Sequence, residues 1–372
     1  MIFNLAFFYL CLKLKTIIHE CGHLVFAYWI GGTPKRMILG TGSEIDRFEW
    51  KGMKIVINSV PLGGAAIAIF KDDKANRWRF ITFSLGGVIF NVAAAVLIIP
   101  LIGFDFQFLT AKHGIDPASA FILANAIGVL NLIPFYSTAH GFRMESDGLG
   151  ILLLVFSSSR KSTLMENLRF GEKYYQALEH FEQGEFAKAH EIYCFLSEKR
   201  PDEWIPIYMI GVIKIKECRP EEAISNLSVL YEKIRGKRKK TLVALIQNSM
   251  AWCYLMMNEL DHAHQYAKLA IDALPRNRMV GGTYGSILIE RGNVDLGMQW
   301  IHDDANMQYA NSDSLAASIY MMFAKHLKGD WRGSELHFSF VQQNVNKLDR
   351  DLLFLYRRCL SKMGKSGFAN PE

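Results

Sequence analysis

The chain has 372 residues, half of them hydrophobic, and its formal net charge is +6. This length allows two or three domains, and charged residues become frequent only after about residue 160, which indicates a domain boundary there. The modest basic excess forms no stripe with interleaved aromatics, which excludes nucleic acid as an expected partner. The six cysteines lack C-x-x-C spacing, which excludes a thiolate zinc site and a disulfide framework.

The first apolar segment, residues 2–30, is long enough to span a bilayer. Within it, His19 and His23 are four residues apart, so a helix places both on one face, with Glu20 beside them. Two such histidines can bind one metal ion. Ionisable groups inside a span are costly and normally mark a functional site. The alternative is a helix whose polar face merely lines a cavity.

The next segments predict a small β region and two further spans. Residues 37–60 favour short strands that form one or two hairpins, followed by a glycine-rich bend at Pro61–Gly64. Apolar segments 80–102 and 118–135 predict the second and third spans. Basic residues concentrate in the connection 31–79, so the positive-inside rule places this connection and everything after the third span in the cytoplasm. We therefore expect a multi-pass integral membrane protein in contact with the lipid bilayer.

The third span is followed by a link and a short apolar segment. Residues 136–146 are predicted to be an irregular polar link, and residues 149–156 are too few to cross a bilayer. Hydrolysis at a zinc centre requires about three protein ligands and a base. His19 and His23 supply two ligands, and Glu20 is placed as the base.

At this point the sequence resembles the site-2 proteases, zinc metalloproteases that cut the membrane segments of other proteins. The resemblance covers residues 1–157. It is carried by His19–His23, Pro61–Gly64, Gly86-Gly87 with Asn91, and Asn131–Pro134 followed by Asp147-Gly148. It implies that Zn²⁺ is the cofactor, that Asp147 is the third ligand, and that the substrate is a membrane protein.

The chain departs from the family pattern in one place. The family's asparagine–proline element commonly reaches its aspartate within a few residues, whereas residues 135–146 separate Pro134 from Asp147 here. His140 and Glu145 lie in this link and are the alternative third ligands. Asn131 is a candidate substrate-binding or oxyanion-stabilising residue, and a role in helix packing is its alternative.

From about residue 165 the sequence repeats itself. Five turn residues are spaced by 34, 40, 34 and 37 residues, close to the tetratricopeptide period of about 34: Gly184, Cys218, Asn258, Gly292 and Gly329. Five positions later each repeat has a small residue, where the two helices of a hairpin need to approach closely: Ala189, Ala223, Ala263, Gly297 and Ser334. The pattern resembles degenerate tetratricopeptide repeats, which predicts a protein partner for this region.

The expected fold is mainly all-α. A multi-span membrane helical core with a small membrane-associated β-hairpin region occupies residues 1–157, and a linker follows at 158–170. An α-solenoid of about five helix-hairpin repeats occupies 171–345, and a C-terminal helix and tail occupy 346–372. The expected function is that of an intramembrane zinc endopeptidase whose cytoplasmic repeats bind a substrate or regulator. The alternative is a catalytically inactive membrane-anchored scaffold whose repeats bind a partner protein.

Overall fold

The protein is mostly helical, in agreement with the sequence. The computed structural model describes residues 2–70, 77–102, 117–139, 142–236, 239–308 and 310–365. These residues form fifteen α-helices and four strands. They divide into two compact units, Met1–Glu172 and Lys173–Glu372.

Helix α1 is the central element of the first unit. The elements of this unit are α1 Ile2–Trp29, β1 Gly32–Trp50, β2 Met53–Phe70, α2 Arg77–Ile102, α3 Pro117–Val129, β3 Tyr136–Ala139, β4 Phe142–Glu145, α4 Asp147–Phe156 and the start of α5, Ser158–Glu182. α1 packs against α2, α3 and both long strands. Its last turn is followed by Gly31, whose φ of 82° is a conformation that favours glycine and ends the helix. Residues 158–170, predicted to be a linker, lie within α5.

Strands β1 and β2 form an antiparallel hairpin that turns at Lys51-Gly52, as the sequence predicts. Both strands are longer than predicted and reach from Gly32 to Phe70. Leu39 pairs with both Ile57 and Gly64, so β2 passes from one edge of β1 to the other between these two residues. The glycine-rich bend predicted at residues 61–64 falls in this crossing, inside β2.

Helices coincide with the three predicted spans. Within the part of the chain that the structure describes, one segment, Arg77–Ile98, is both long and apolar enough to cross a membrane, and Ser119–Leu132 and Asp147–Phe156 are apolar but shorter. The third predicted span ends early: α3 stops at Val129, a 3-10 turn continues to Leu132, and extended residues follow. Pro34 and Pro134 each lie where a helix has already ended, as the missing N–H of proline requires.

The second unit consists of helices joined in consecutive pairs. Its helices after α5 are α6 Phe186–Lys199, α7 Trp204–Lys216, α8 Pro220–Ile234, α9 Lys240–Met256, α10 Leu260–Ala273, α11 Arg278–Glu290, α12 Val294–Ile301, α13 Ser312–Leu327, α14 Trp331–Gln343 and α15 Arg350–Lys362. From α6 to α14, each helix packs against the next along the chain.

The predicted turn residues have the backbone conformation that a tight helix–helix turn needs. All five have positive φ, between 60° and 87°: Gly184, Cys218, Asn258, Gly292 and Gly329. The five small residues that follow them are all buried: Ala189, Ala223, Ala263, Gly297 and Ser334. At Gly297 a Cβ would lie 2.7 Å from the carbonyl oxygen of Gly285, which is why this pair of helices requires glycine at the crossing.

A buried ion-pair cluster joins α15 to the other helices. The side chain of Glu290 is fully buried, accepts a hydrogen bond from Arg358 Nη2 at 2.6 Å, and pairs with Lys362. Removing one partner of such a cluster leaves a buried charge without compensation. We therefore predict that Glu290→Gln lowers the free energy of unfolding by roughly 3 kcal/mol.

Chemical denaturation followed by tryptophan fluorescence will measure this loss. Asp272→Asn is the matched control, because Asp272 pairs with Lys268 on the surface and its side chain is 58% exposed. Surface pairs contribute at most about 1 kcal/mol. Equal effects of the two substitutions would show that the Glu290 cluster is no more important than a surface pair.

Candidate metal centre

The polar face of α1 is buried inside the first unit. His19, Glu20 and His23 are each at most 5% exposed. α2 approaches this face closely because glycines meet at the crossing: a Cβ on Gly22 would overlap the carbonyl oxygen of Gly86, and a Cβ on Gly86 would overlap that of Gly22. Gly87 follows, directly under the two imidazoles, and a Cβ there would lie 2.6 Å from His23 Nε2. α2 thus closes one side of the site.

Asp147 reaches the histidines through a structure that the sequence did not predict. The link after Pro134 is a hairpin of β3 and β4, not an irregular loop, and Tyr136 pairs with Glu145. Ser146 closes its base by donating from Oγ to the carbonyl oxygen of Ile133 at 2.7 Å. The inserted hairpin therefore starts and ends at almost the same place. As a result, Asp147 begins α4 close to the end of α3 and its 3-10 turn.

Two further contacts hold Asp147 in place. Ser146 Oγ accepts a hydrogen bond from the Leu149 N–H and caps α4. A Cβ on Gly148 would overlap the carbonyl oxygen of Leu132, so the residue after Asp147 must be glycine. A serine followed by Asp-Gly before an apolar run is a helix-start pattern, and it is the one feature by which sequence reasoning could have found Ser146.

His19, His23 and Asp147 form a group that can hold a metal ion. Their ligand atoms all lie within 4.8 Å of one another. Asp147 Oδ2 is 3.1 Å from His19 Nε2 and 3.6 Å from His23 Nε2. Ligands about 2.0–2.1 Å from a tetrahedral Zn²⁺ are separated by about 3.3 Å. The donor types and these two separations fit zinc.

The backbone of α2 orients one of the histidines. His23 Nδ1 lies 2.7 Å from the carbonyl oxygen of Phe83. A carbonyl only accepts, so the proton of a neutral His23 is on Nδ1 and the lone pair of Nε2 is directed at the group. The sequence offered no sign of this contact, because a backbone carbonyl carries no residue-specific pattern.

Glu20 lies on the same face, next in sequence to His19. Its carboxylate borders β2: a Cβ on Gly64 would be 2.5 Å from Glu20 Oε1. The carboxylates of Glu20 and Asp147 are also close enough to interact electrostatically. Glycine at position 64 therefore lets an extended backbone pass directly beside this carboxylate.

The remaining predicted site residues have different positions. Asn131 Nδ2 donates to Asp147 Oδ2 at 2.6 Å and lies 3.2 Å from His19 Nε2, so its amide adjoins the metal-ligand group. A role of Asn131 in substrate binding stays a prediction. Glu145 lies in β4. Among the described residues it is not part of the metal-ligand group formed by His19, His23 and Asp147. His140 lies outside the described residues.

Comparison with known proteins identifies one family. The sequence profile of peptidase family M50 matches residues 7–274. This match includes both histidines, Glu20 and Asp147. Among solved structures, the chain is similar to a tetratricopeptide repeat protein from Parabacteroides merdae, with 16% sequence identity and a TM-score of 0.33. This match covers 54% of this chain and 75% of that one. No curated protein matches the chain.

Proposed function

Because the chain belongs to peptidase family M50, the site-2 protease family, we propose that it is a zinc-dependent intramembrane endopeptidase. It hydrolyses peptide bonds in or near the transmembrane segments of other proteins. The observation that carries this proposal is the convergence of His19, His23 and Asp147 from two distant parts of the chain, with Glu20 on the same helix face.

The roles of the site residues follow from their chemistry. When bound, zinc supplies the Lewis acidity that lets a water molecule lose its proton near neutral pH. His19, His23 and Asp147 hold the ion. Glu20 takes the proton from the attacking water and passes it to the leaving amine, as a general base and then a general acid. The amide of Asn131 holds Asp147 and, at the same place, can donate to the substrate carbonyl.

The strands beside the site suit an extended substrate. A helical membrane segment must unwind before attack, because its carbonyls are hydrogen-bonded within the helix. β2 passes Glu20 at Gly64. A substrate segment added to the β region as a strand would bring an extended peptide to the base.

The membrane placement is also a proposal. α1 and α2 serve as spans, and α3, whose 13 residues are too few to cross a bilayer alone, completes a third span together with the apolar helix α4, giving a multi-pass protein. Support comes from large apolar side chains that stay exposed on α1, α2 and α3, such as Leu10, 58% exposed, Leu97, 70% exposed, and Leu123, 43% exposed. Soluble proteins rarely expose such surfaces unless something apolar covers them. The positive-inside rule places the repeats in the cytoplasm.

The paired helices of the second unit form, in this proposal, a tetratricopeptide-like α-solenoid over residues 171–345. Its support is the positive φ of all five turn residues and the order in which each helix packs on the next. Such repeats bind protein partners, so this domain would recruit the substrate or a regulator.

The test of this function uses the full chain reconstituted in lipid vesicles with a single-span substrate. We expect about one zinc per chain, cleavage within or beside the span, and loss of cleavage on chelation that added zinc reverses. A substrate whose span contains Asn-Gly should be cut faster than one with Leu-Leu at those positions, because its helix unwinds more easily. A zinc-loaded chain that leaves both substrates intact would favour the inactive scaffold.

A further inference from the structure

Helix α2 also contacts the other metal-ligand histidine, His19, and this contact is made by a side chain. Asn91 is fully buried, and its Nδ2 lies 2.9 Å from His19 Nδ1. His19 Nδ1 points away from the metal-ligand group, whereas its Nε2 faces Asp147 Oδ2 at 3.1 Å. Asn91 thus contacts His19 at Nδ1, the ring nitrogen that faces away from the metal-ligand group. The Phe83 carbonyl contacts the corresponding nitrogen of His23.

The two histidines differ in where these contacts leave the proton. The Phe83 carbonyl requires the His23 proton on Nδ1. With the Asn91 amide nitrogen facing it, His19 Nδ1 accepts, and a neutral His19 beside this amide orientation carries its proton on Nε2. A protonated Nε2 can donate to Asp147, but it has no lone pair for a metal ion. To bind zinc through Nε2, His19 must carry its proton on Nδ1 and needs an acceptor there.

That acceptor is already adjacent. Asn91 Oδ1 is buried and has no hydrogen-bond partner among the described residues. A half-turn of the amide exchanges Oδ1 and Nδ2 and directs the oxygen at His19 Nδ1–H. The amide has space in this position because α3 presents Gly128, where a Cβ would overlap Asn91 Nδ2.

We propose that Asn91 is a positioning residue for the metal ligand His19: its amide turns to accept the Nδ1–H of His19 when Nε2 binds the ion. An asparagine can pair with either tautomer of His19. Its Nδ2 donates to an unprotonated Nδ1, and its Oδ1 accepts from a protonated Nδ1. Outer-shell partners of this kind hold the imidazole ring in place and raise its basicity. This inference rests on the zinc site of the proposed function.

A second buried asparagine provides the matched control. Asn125 on α3 is also fully buried and also has an Oδ1 without a hydrogen-bond partner in the described part of the chain. Its Nδ2 donates to the carbonyl oxygen of Phe121 in its own helix. Asn125 therefore shares the burial and the unpartnered oxygen of Asn91, but within the described residues no hydrogen bond joins it to a metal ligand.

The test measures zinc affinity of the full chain by competition with a chromogenic chelator, without any substrate. Asn91→Leu should lower the affinity by roughly 10- to 100-fold, the usual cost of losing an outer-shell partner. Asn91→Asp supplies an obligate acceptor and should bind zinc nearly as tightly as the unaltered chain. Asn125→Leu should leave the affinity unchanged. A loss in Asn91→Asp as large as that in Asn91→Leu, or no loss in either, would overturn the proposal.

A second pair of variants reaches the same contact from the opposite helix. Gly128→Ala places a methyl group against the Asn91 amide and should also weaken zinc binding. Gly150→Ala is its control, because a Cβ on Gly150 has nothing within 4 Å. Equal zinc affinity in these two variants would contradict the inference. An unaltered chain that binds no zinc would instead refute the proposed function.

Discussion

Replacing Glu20 with glutamine is expected to abolish cleavage and leave zinc bound. Glutamine has nearly the same shape as glutamate but cannot take a proton from water, and general bases contribute about 10²- to 10⁴-fold to the rate. Its neighbours, His19 and His23, keep all their contacts in this variant. Cleavage of a single-span substrate in vesicles, together with zinc content, measures both consequences.

The matched control for this experiment is Glu44→Gln. Glu44 lies on β1 in the same unit, forms an exposed ion pair with Arg47 at 2.7 Å, and among the described residues does not belong to the metal-ligand group. It should cut the substrate at the unaltered rate. Cleavage by Glu20→Gln at that rate would remove Glu20 from the mechanism. An inactive Glu20→Gln chain also offers a trap, because substrates that bind without being cut can be recovered with it.

Replacing Asp147 with asparagine is expected to cause the largest loss of zinc. The carboxylate Oδ2 is the atom common to both short contacts with the histidines, and a neutral amide is a much weaker ligand for Zn²⁺. The affinity should fall by more than the roughly 10- to 100-fold that loss of an outer-shell partner costs. Cleavage should fall with it, and zinc content measured at several free zinc concentrations gives the size of the effect.

Two variants distinguish Asp147 from its alternatives. Glu145→Gln and His140→Gln should bind zinc as the unaltered chain does. Glu145 lies on β4, where its backbone pairs with Tyr136, and among the described residues it is not part of the group that can hold a metal ion. Loss of zinc in Glu145→Gln or His140→Gln, with none in Asp147→Asn, would assign the third ligand to the link instead.

The helix pairs of the second unit could be anticipated from sequence because they depend on local geometry. A turn between two packed helices needs positive φ and a small residue a fixed distance later, and both requirements recur with the repeat. Cys218 and Asn258 illustrate the strength of this constraint, since they adopt φ of 60° although neither is glycine. The buried cluster around Glu290 could not be anticipated, because its partners on α15 are about 70 residues away in sequence.

The sequence by itself determined the first half of the metal centre. The spacing of His19 and His23 on a helix places both imidazoles on one face, since the helical period depends only on neighbouring residues. Glu20 beside them, the apolar helices and the turn at Lys51-Gly52 follow from equally local rules.

Only the tertiary structure decided the second half. Asp147 joins the histidines because the β3–β4 hairpin returns the chain to its starting point, where Ser146 bonds to Ile133. Asn91 and the Phe83 carbonyl meet the imidazoles because paired glycines let α2 approach α1. These contacts join residues 13 to 128 positions apart. No local periodicity encodes such distances, because they depend on how whole elements pack.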